Sequence, residues 1–139
     1  MTELKETIRV QVRFSEVDSI NMVWHGNYIK YLEDAREAFG RKFGLEYTYM
    51  FDCGYYAPIV DMHVRYMHPA TVDDILIVEI SYRPSKGAKL IFDYKITRES
   101  DGLPIMEAST IQLFETKDGT FEPSCPAFLE QWKKDHDIE

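Results

Sequence analysis

The chain has 139 residues, long enough to bury roughly two thirds of its unfolded surface without a metal or disulfide to hold a core. Its 16 Lys and Arg stand against 24 Asp and Glu, and the formal charge of -8 argues against nucleic acid or an anionic membrane as principal partner, because both reward clustered positive charge. Hydrophobic content of 45% and charged content of 29% are ordinary globular usage, so residues 1–139 are expected to form one domain. Aromatic residues reach 14%, and aromatics beyond the needs of a core line ligand grooves or subunit interfaces.

The chain reads first as a strand over Ile8 to Phe14, where Ile8, Val10, Val12 and Phe14 alternate with Arg9, Gln11 and Arg13. A non-periodic stretch from Ser15 to Gly26 leads into one strong helix, Asn27 to Phe43. Tyr28, Leu32, Ala35, Phe39 and Phe43 form its apolar stripe, widened by Tyr31 and Ala38, and Gly44 is a natural C-cap. Residues 47–55 are a Tyr- and Phe-rich connection with room for a helical turn. Strands follow over Pro58 to Met67, Ile75 to Arg83, Lys89 to Arg98 and Ile105 to Glu115. The turns between them, Pro84 to Gly87 and Asp101-Gly102, are hairpin chemistry, as is Asp118-Gly119 after the last strand. Pro126 opens a short terminal helix carrying Phe128, Leu129 and Trp132.

One apolar-faced helix with five antiparallel strands predicts an α+β layer architecture, and a sheet wrapped around a single central helix is the hot-dog arrangement. Such a sheet keeps a free edge that invites a second copy, so a homodimer or homotetramer is expected. Cys53 and Cys125 fall in no Cys-x-x-Cys or Cys/His metal spacing, so no metal site is expected. Met1 to Thr7 is polar with no apolar signal core, and no apolar run reaches the length of a membrane span. A reduced, cytoplasmic protein is the expectation.

Chemistry concentrates between the first strand and the long helix, in residues 13–31. A helix start presents unpaired backbone N–H groups and the positive end of the helix dipole, which suit a developing oxyanion. Asp18 lies in the same loop. A carboxylate facing such donors is a sensible pair for acyl transfer, attacking the carbonyl or activating water against it. Each residue also has a plainer reading: Asp18 as a turn former, His25 as a capping histidine, Trp24 as packing, and Glu33 with Arg36 as a helix-surface ion pair.

The full spacing, Asp18-x-x-Asn21-x-Val23-Trp24-His25-x-Asn27-Tyr28-x-x-Tyr31-x-Glu33-x-Ala35-Arg36, resembles the signature of the 4-hydroxybenzoyl-CoA thioesterase-like branch of hot-dog acyl-CoA thioesterases. Tyr66-x-x-Pro69-Ala-x-x-Asp73-Asp is similar to the ending of the second strand in that family. The resemblance implies hydrolysis of an acyl-CoA thioester to carboxylic acid and CoA, with no metal or organic cofactor, in sites formed between subunits. It assigns Asp18 as nucleophile or general base and His25 as the residue whose backbone N–H polarises the thioester carbonyl. Asn21, Trp24, Gly26 and Asn27 are expected to line the substrate site. Asn21 stands where the family usually has Gly, and Asn is well able to adopt left-handed geometry. Glu16 replaces a common Asp.

Coenzyme A brings several phosphate charges to an acidic protein, so cations must be concentrated locally. Arg83, Lys86 and Lys89 around the Pro84 to Gly87 turn are the densest candidates, with Arg65 and Arg98 as alternatives. The plainer reading is a charged hairpin tip that resists edge aggregation. His63 reads as a surface residue and His68 as a turn residue. Rival functions are hydrolysis of acyl-carrier-protein or aryl-CoA thioesters, and a non-catalytic acyl-CoA-binding module.

Overall fold

The apolar stripe of the long helix sets the architecture. In the computed structural model, which describes residues 3–138, helix α1 spans Asn27–Phe43 and buries Tyr28, Tyr31, Leu32, Ala35 and Phe39. Lys30, Glu33, Asp34, Glu37 and Arg41 face outward. The helix ends where Gly44 takes a left-handed φ of 82° and donates its N–H to the Gly40 carbonyl at 2.8 Å. That conformation suits Gly because it has no Cβ to clash. The buried stripe lies on the inner face of a five-stranded antiparallel sheet.

The strands are β1 (Lys5–Gln11), β3 (Ile59–Tyr66), β4 (Ile75–Arg83), β5 (Lys89–Arg98) and β6 (Pro104–Leu113), in the order β1-β4-β5-β6-β3. A six-residue helix α2 (Tyr47–Asp52) and a two-residue strand β2 (Tyr55–Tyr56) precede β3. Strand β7 (Glu115–Thr116) pairs with β2, and helix α3 (Ala127–Asp135) closes the chain behind a buried Pro126. The predicted spans of α1, β4 and β5 match the observed ones.

Strand edges account for the differences. β1 begins at Lys5, paired with Ser81, and stops at Gln11 because Val12 leaves the ladder to exchange backbone hydrogen bonds with Asp73 and Asp74. Phe14, predicted on the inner face of that strand, sits in a 3-10 turn (Phe14–Glu16) and is 82% exposed. A register irregularity between Ile59 and Asp61 turns Val60 outward. β6 ends at Leu113, and residues 115–116 go to β2 instead of extending it.

The register gives the sheet two distinct ends. At the loop end, Gln11 meets Ile75, Leu76 meets Arg98, Thr97 meets Pro104 and Tyr66 meets Met106. At the hairpin end, Lys5 meets Ser81, Arg83 meets Ile91, Lys89 meets Leu113 and Ile59 meets Gln112. Strand β4 separates the ends by about 26 Å at the usual rise of a strand. Helix α3 seals the hairpin end: Trp132 packs on Tyr82 at 5.1 Å between ring centroids and donates Nε1–H to the Phe43 carbonyl at 2.7 Å.

Helix α1 leans towards β1 and β4, so the inner face of β6 and β3 is less covered. A cleft of about 890 Å³ opens there, lined by Arg36, Gly40, Met50, Ala57, Phe92 and Gln112 among others. Gln112 is 3% exposed; its Nε2 donates to the Ala57 carbonyl at 2.7 Å and its Oε1 is left without a partner. The other edge of β3 pairs with no strand among the described residues.

Candidate active site

The loop between β1 and α1 is closed on itself by backbone bonds. Val17 bridges to Val23, the Asp18 N–H donates to the Met22 carbonyl at 2.7 Å, and the Asn21 N–H donates to the Asp18 carbonyl at 3.0 Å. Asn21 turns the chain with φ 65°, the left-handed geometry expected of a residue in the usual Gly position. Asp18 Oδ1 accepts the N–H groups of Ile20 at 3.0 Å and Met22 at 3.3 Å. The aspartate therefore is a turn former, and the bonds that make it one also hold it still. Its Oδ2 has no protein partner, and Asp18 is exposed with no ion pair among the described residues.

The start of α1 lies across the base of this loop. Gly26 is the N-cap and supplies no side-chain cap, and no acidic residue occupies the first turn. The positive end of the helix dipole is thus left uncompensated by the chain itself. Among the described residues the His25 and Gly26 N–H groups donate to no protein acceptor, whereas the Asn27 N–H is spent on the Trp24 carbonyl at 2.8 Å. Tyr66, at the end of β3, donates its hydroxyl to the His25 carbonyl at 3.0 Å and so fixes the peptide that carries the next N–H. The His25 ring is exposed between Trp24, at 4.9 Å, and Tyr66, at 6.4 Å.

Trp24 lies over Gly26 and is 52% exposed. A Cβ on Gly26 would fall 2.0 Å from the indole, so the glycine is what lets the ring lie there. Asn27 is turned inward, its Nδ2 donating to the Glu16 carbonyl at 2.8 Å. Tyr28 accepts the Ala70 N–H at 3.0 Å on its hydroxyl, tying the helix to the chain after β3. Burial pushes the Tyr28 phenol above its ordinary pKa.

The cationic candidates sit elsewhere. Arg83, Lys86 and Lys89 are at the hairpin end, a sheet length away from Asp18 in the same protomer. Arg83 forks onto both carboxylate oxygens of Asp93, whereas Lys86 and Lys89 form no ion pair among the described residues. Of the alternatives, Arg98 is engaged by Asp101 and Asp74, and Arg65 is exposed near the end of β3. His63 is exposed on the outer sheet face, and His68 Nδ1 lies 2.8 Å from the Pro104 carbonyl. Glu33 and Arg36 do not form the expected ion pair; both line the cleft.

Sequence reasoning did not single out Gln112, read Tyr66 only as part of a family-like strand ending, and read Glu16 only as a departure. Tyr66 alternated like a strand residue, and nothing in its spacing announced a bond to the His25 carbonyl. Among the described residues no cluster of three or more His, Cys, Asp or Glu could hold a metal, and no helix is long and apolar enough to cross a membrane.

Residues 12–132 match the family model described as the thioesterase-like superfamily. A Bacillus subtilis protein provisionally named an acyl-CoA thioesterase is 28% identical over 101 residues, covering 73% of each chain. The 4-hydroxybenzoyl-CoA thioesterase of Pseudomonas sp. is 24% identical over 119 residues, 81% of this chain and 84% of that one. Among solved structures, a 1,4-dihydroxy-2-naphthoyl-CoA thioesterase from Synechocystis superposes with a TM-score of 0.83 over 97% of this chain and 99% of its own, at 18% identity, a likeness of fold. The chain, with its α+β hot-dog fold, belongs to the thioesterase-like superfamily and is a thioester hydrolase.

Proposed function

We propose that the protein hydrolyses an acyl-CoA thioester to a carboxylic acid and free CoA at the loop end of the sheet. The observation that carries this reading is the pairing in one loop of a fixed Asp18 carboxylate with a free Oδ2 and the unspent N–H groups of His25 and Gly26. The thioester carbonyl oxygen sits at those amides, which stabilise the oxyanion as the carbonyl carbon is attacked. Asp18 Oδ2 either attacks the carbonyl carbon itself or removes a proton from the attacking water. On either route the C–S bond breaks, water supplies OH to the acyl carbon, and the remaining proton leaves on the CoA thiol. No cofactor enters; CoA is part of the substrate. The exposed indole of Trp24 and the ring of His25 form an apolar shelf beside the reacting group, with Asn21 and Asn27 shaping the loop around it.

The site is completed by a second copy. A two-fold pair across the free edge of β3, with both inner faces on one side, runs the two β3 strands antiparallel. That places the partner's hairpin end beside this protomer's loop end. Lys86 and Lys89 then meet the CoA phosphates in trans, and Arg83 contributes less because Asp93 already neutralises it. Such an assembly, as a dimer or paired into a tetramer, resolves how an acidic chain holds a polyanionic ligand. Both cysteines are unpaired, in keeping with a reducing cytoplasm.

The test is a hydrolysis panel of acetyl-, octanoyl-, palmitoyl- and 4-hydroxybenzoyl-CoA against the same acyl groups on acyl carrier protein, followed by release of free thiol. Turnover of CoA esters above carrier-bound ones supports the reading. Preference for carrier-bound substrates overturns the CoA assignment, and tight CoA binding without turnover of any member overturns hydrolysis.

A further inference from the structure

Glu16 makes five hydrogen bonds at the base of the Asp18 loop. Glu16 accepts the Tyr31 hydroxyl at 2.9 Å and the Arg13 backbone N–H at 2.8 Å on the same oxygen, Oε1. Its backbone carbonyl accepts the Trp24 N–H at 3.1 Å and the Asn27 side-chain amide at 2.8 Å. Its own N–H donates to the Arg13 carbonyl at 2.9 Å. Glu16 thus touches the strand exit, the returning arm of the loop and the first two turns of α1. Tyr31 is 2% exposed on the stripe that anchors α1 to the sheet, so its hydroxyl is a fixed point in the core. Burial, with the Glu16 carboxylate second, pushes its phenol pKa far above the ordinary value, and it stays a donor throughout the working range.

The outgoing arm of the loop carries Asp18 and the returning arm leads to the helix-start amides; besides the Val17–Val23 bridge, Glu16 bonds to the returning arm at Trp24 and Asn27 and to the helix at Tyr31. We infer that Glu16 is a positioning residue, which, through Tyr31 and Asn27, sets Asp18 against the His25 and Gly26 N–H groups; the inference rests on the thioesterase reading above. The Glu16 side chain reaches from the strand exit to Tyr31 on the second turn of the helix. A displacement of the carboxylate by as little as ~1 Å is enough to lose much of the rate, while substrate binding elsewhere is untouched.

The test compares Glu16→Ala, Glu16→Gln and Tyr31→Phe, each with Asp18 intact and as Asp18→Asn, in octanoyl- and 4-hydroxybenzoyl-CoA hydrolysis. Glu16→Ala and Tyr31→Phe are expected to lower kcat about tenfold with KM within about twofold. Glu16→Gln keeps an acceptor for both the Tyr31 hydroxyl and the Arg13 N–H, so its kcat is expected within about threefold of the parent. In the Asp18→Asn background none of the three lowers the residual rate further, because they act through Asp18. Amide exchange at Met22 and Trp24 rises in Glu16→Ala by more than at the core amides of β4 and β5, which report any global loss of stability. Unchanged kcat in Glu16→Ala, an equal loss in the Asp18→Asn background, or exchange at Met22 and Trp24 rising no more than at those core amides overturns the clamp. A fully active Asp18→Asn overturns the catalytic reading instead, and the exchange measurement then decides the clamp alone.

Discussion

The two ends of one sheet treat their polar groups in opposite ways. At the hairpin end, Lys133 is buried and donates to the Ser85 carbonyl at 2.8 Å, Trp132 and Tyr82 pack ring to ring, and Arg83 is neutralised by Asp93. Burial there pushes the Tyr82 phenol to about 12. At the loop end, Asp18 is held by backbone N–H groups yet left exposed, with no ion pair among the described residues, in the same loop as the His25 and Gly26 amides, which donate to no acceptor among those residues. Packing of the first kind makes stability through buried contact, even though the Tyr82 hydroxyl and Ser85 Oγ are buried there without a partner among the described residues. Fixed but unsatisfied groups of the second kind are what the proposed hydrolysis requires, with the reacting molecule as their partner.

Substitutions at the two ends should therefore fail differently. Trp132→Ala, which empties a 5%-exposed position, is expected to cost about 3–5 kcal/mol of stability by chemical denaturation, with kcat per folded molecule retained. Asp18→Asn should do the reverse, lowering kcat at least about 100-fold with the thermal midpoint little changed. Gly26→Ala tests the surface between them: the new methyl displaces the Trp24 indole, visible in tryptophan fluorescence, and kcat/KM should fall about tenfold as the shelf is lost. The smallest effect belongs to an exposed ion pair at the loop end. Arg98 and the Leu103 N–H hold the Asp101 carboxyl at about 2, below its ordinary 3.8. A folded value below the unfolded one supplies stability above the unfolded pKa and loses it as pH falls through the folded one. Asp101→Asn should accordingly flatten the wild-type fall in thermal midpoint between about pH 4 and 2, and a wild-type midpoint flat over that window would contradict it.

Periodicity made most of the fold legible. The stripe over Asn27–Phe43 and the alternation in Ile75–Arg83 and Lys89–Arg98 encode burial directly, and burial decides those elements. Strand edges were less legible, because the exit of Val12 towards Asp74 and the irregularity after Ile59 depend on neighbours distant in sequence. The same holds in the candidate site. Asp18, Asn21 and the helix start were readable as a motif, and Asn21 takes the left-handed geometry its position demands. The clamp from Glu16 to Tyr31 and the bond from Tyr66 to the His25 carbonyl were not, since each joins elements whose approach only the folded sheet creates. The placement of Arg83, Lys86 and Lys89 at the far end of the sheet likewise follows from register, which local spacing does not carry.

That separation of ends underlies the proposal of a site shared between protomers, which mixed dimers can break. Asp18→Asn chains and Lys86→Ala/Lys89→Ala chains, co-expressed with different tags and purified together, are assayed at low CoA thioester concentration. Each parent variant alone is expected to be weak, the lysine variant retaining about a tenth of kcat/KM. Random pairing leaves about a quarter of all sites with an intact Asp18 from one chain and intact lysines from the other, so activity should recover to about a quarter of wild type. Activity no greater than the average of the two variants measured separately would contradict a site shared between protomers.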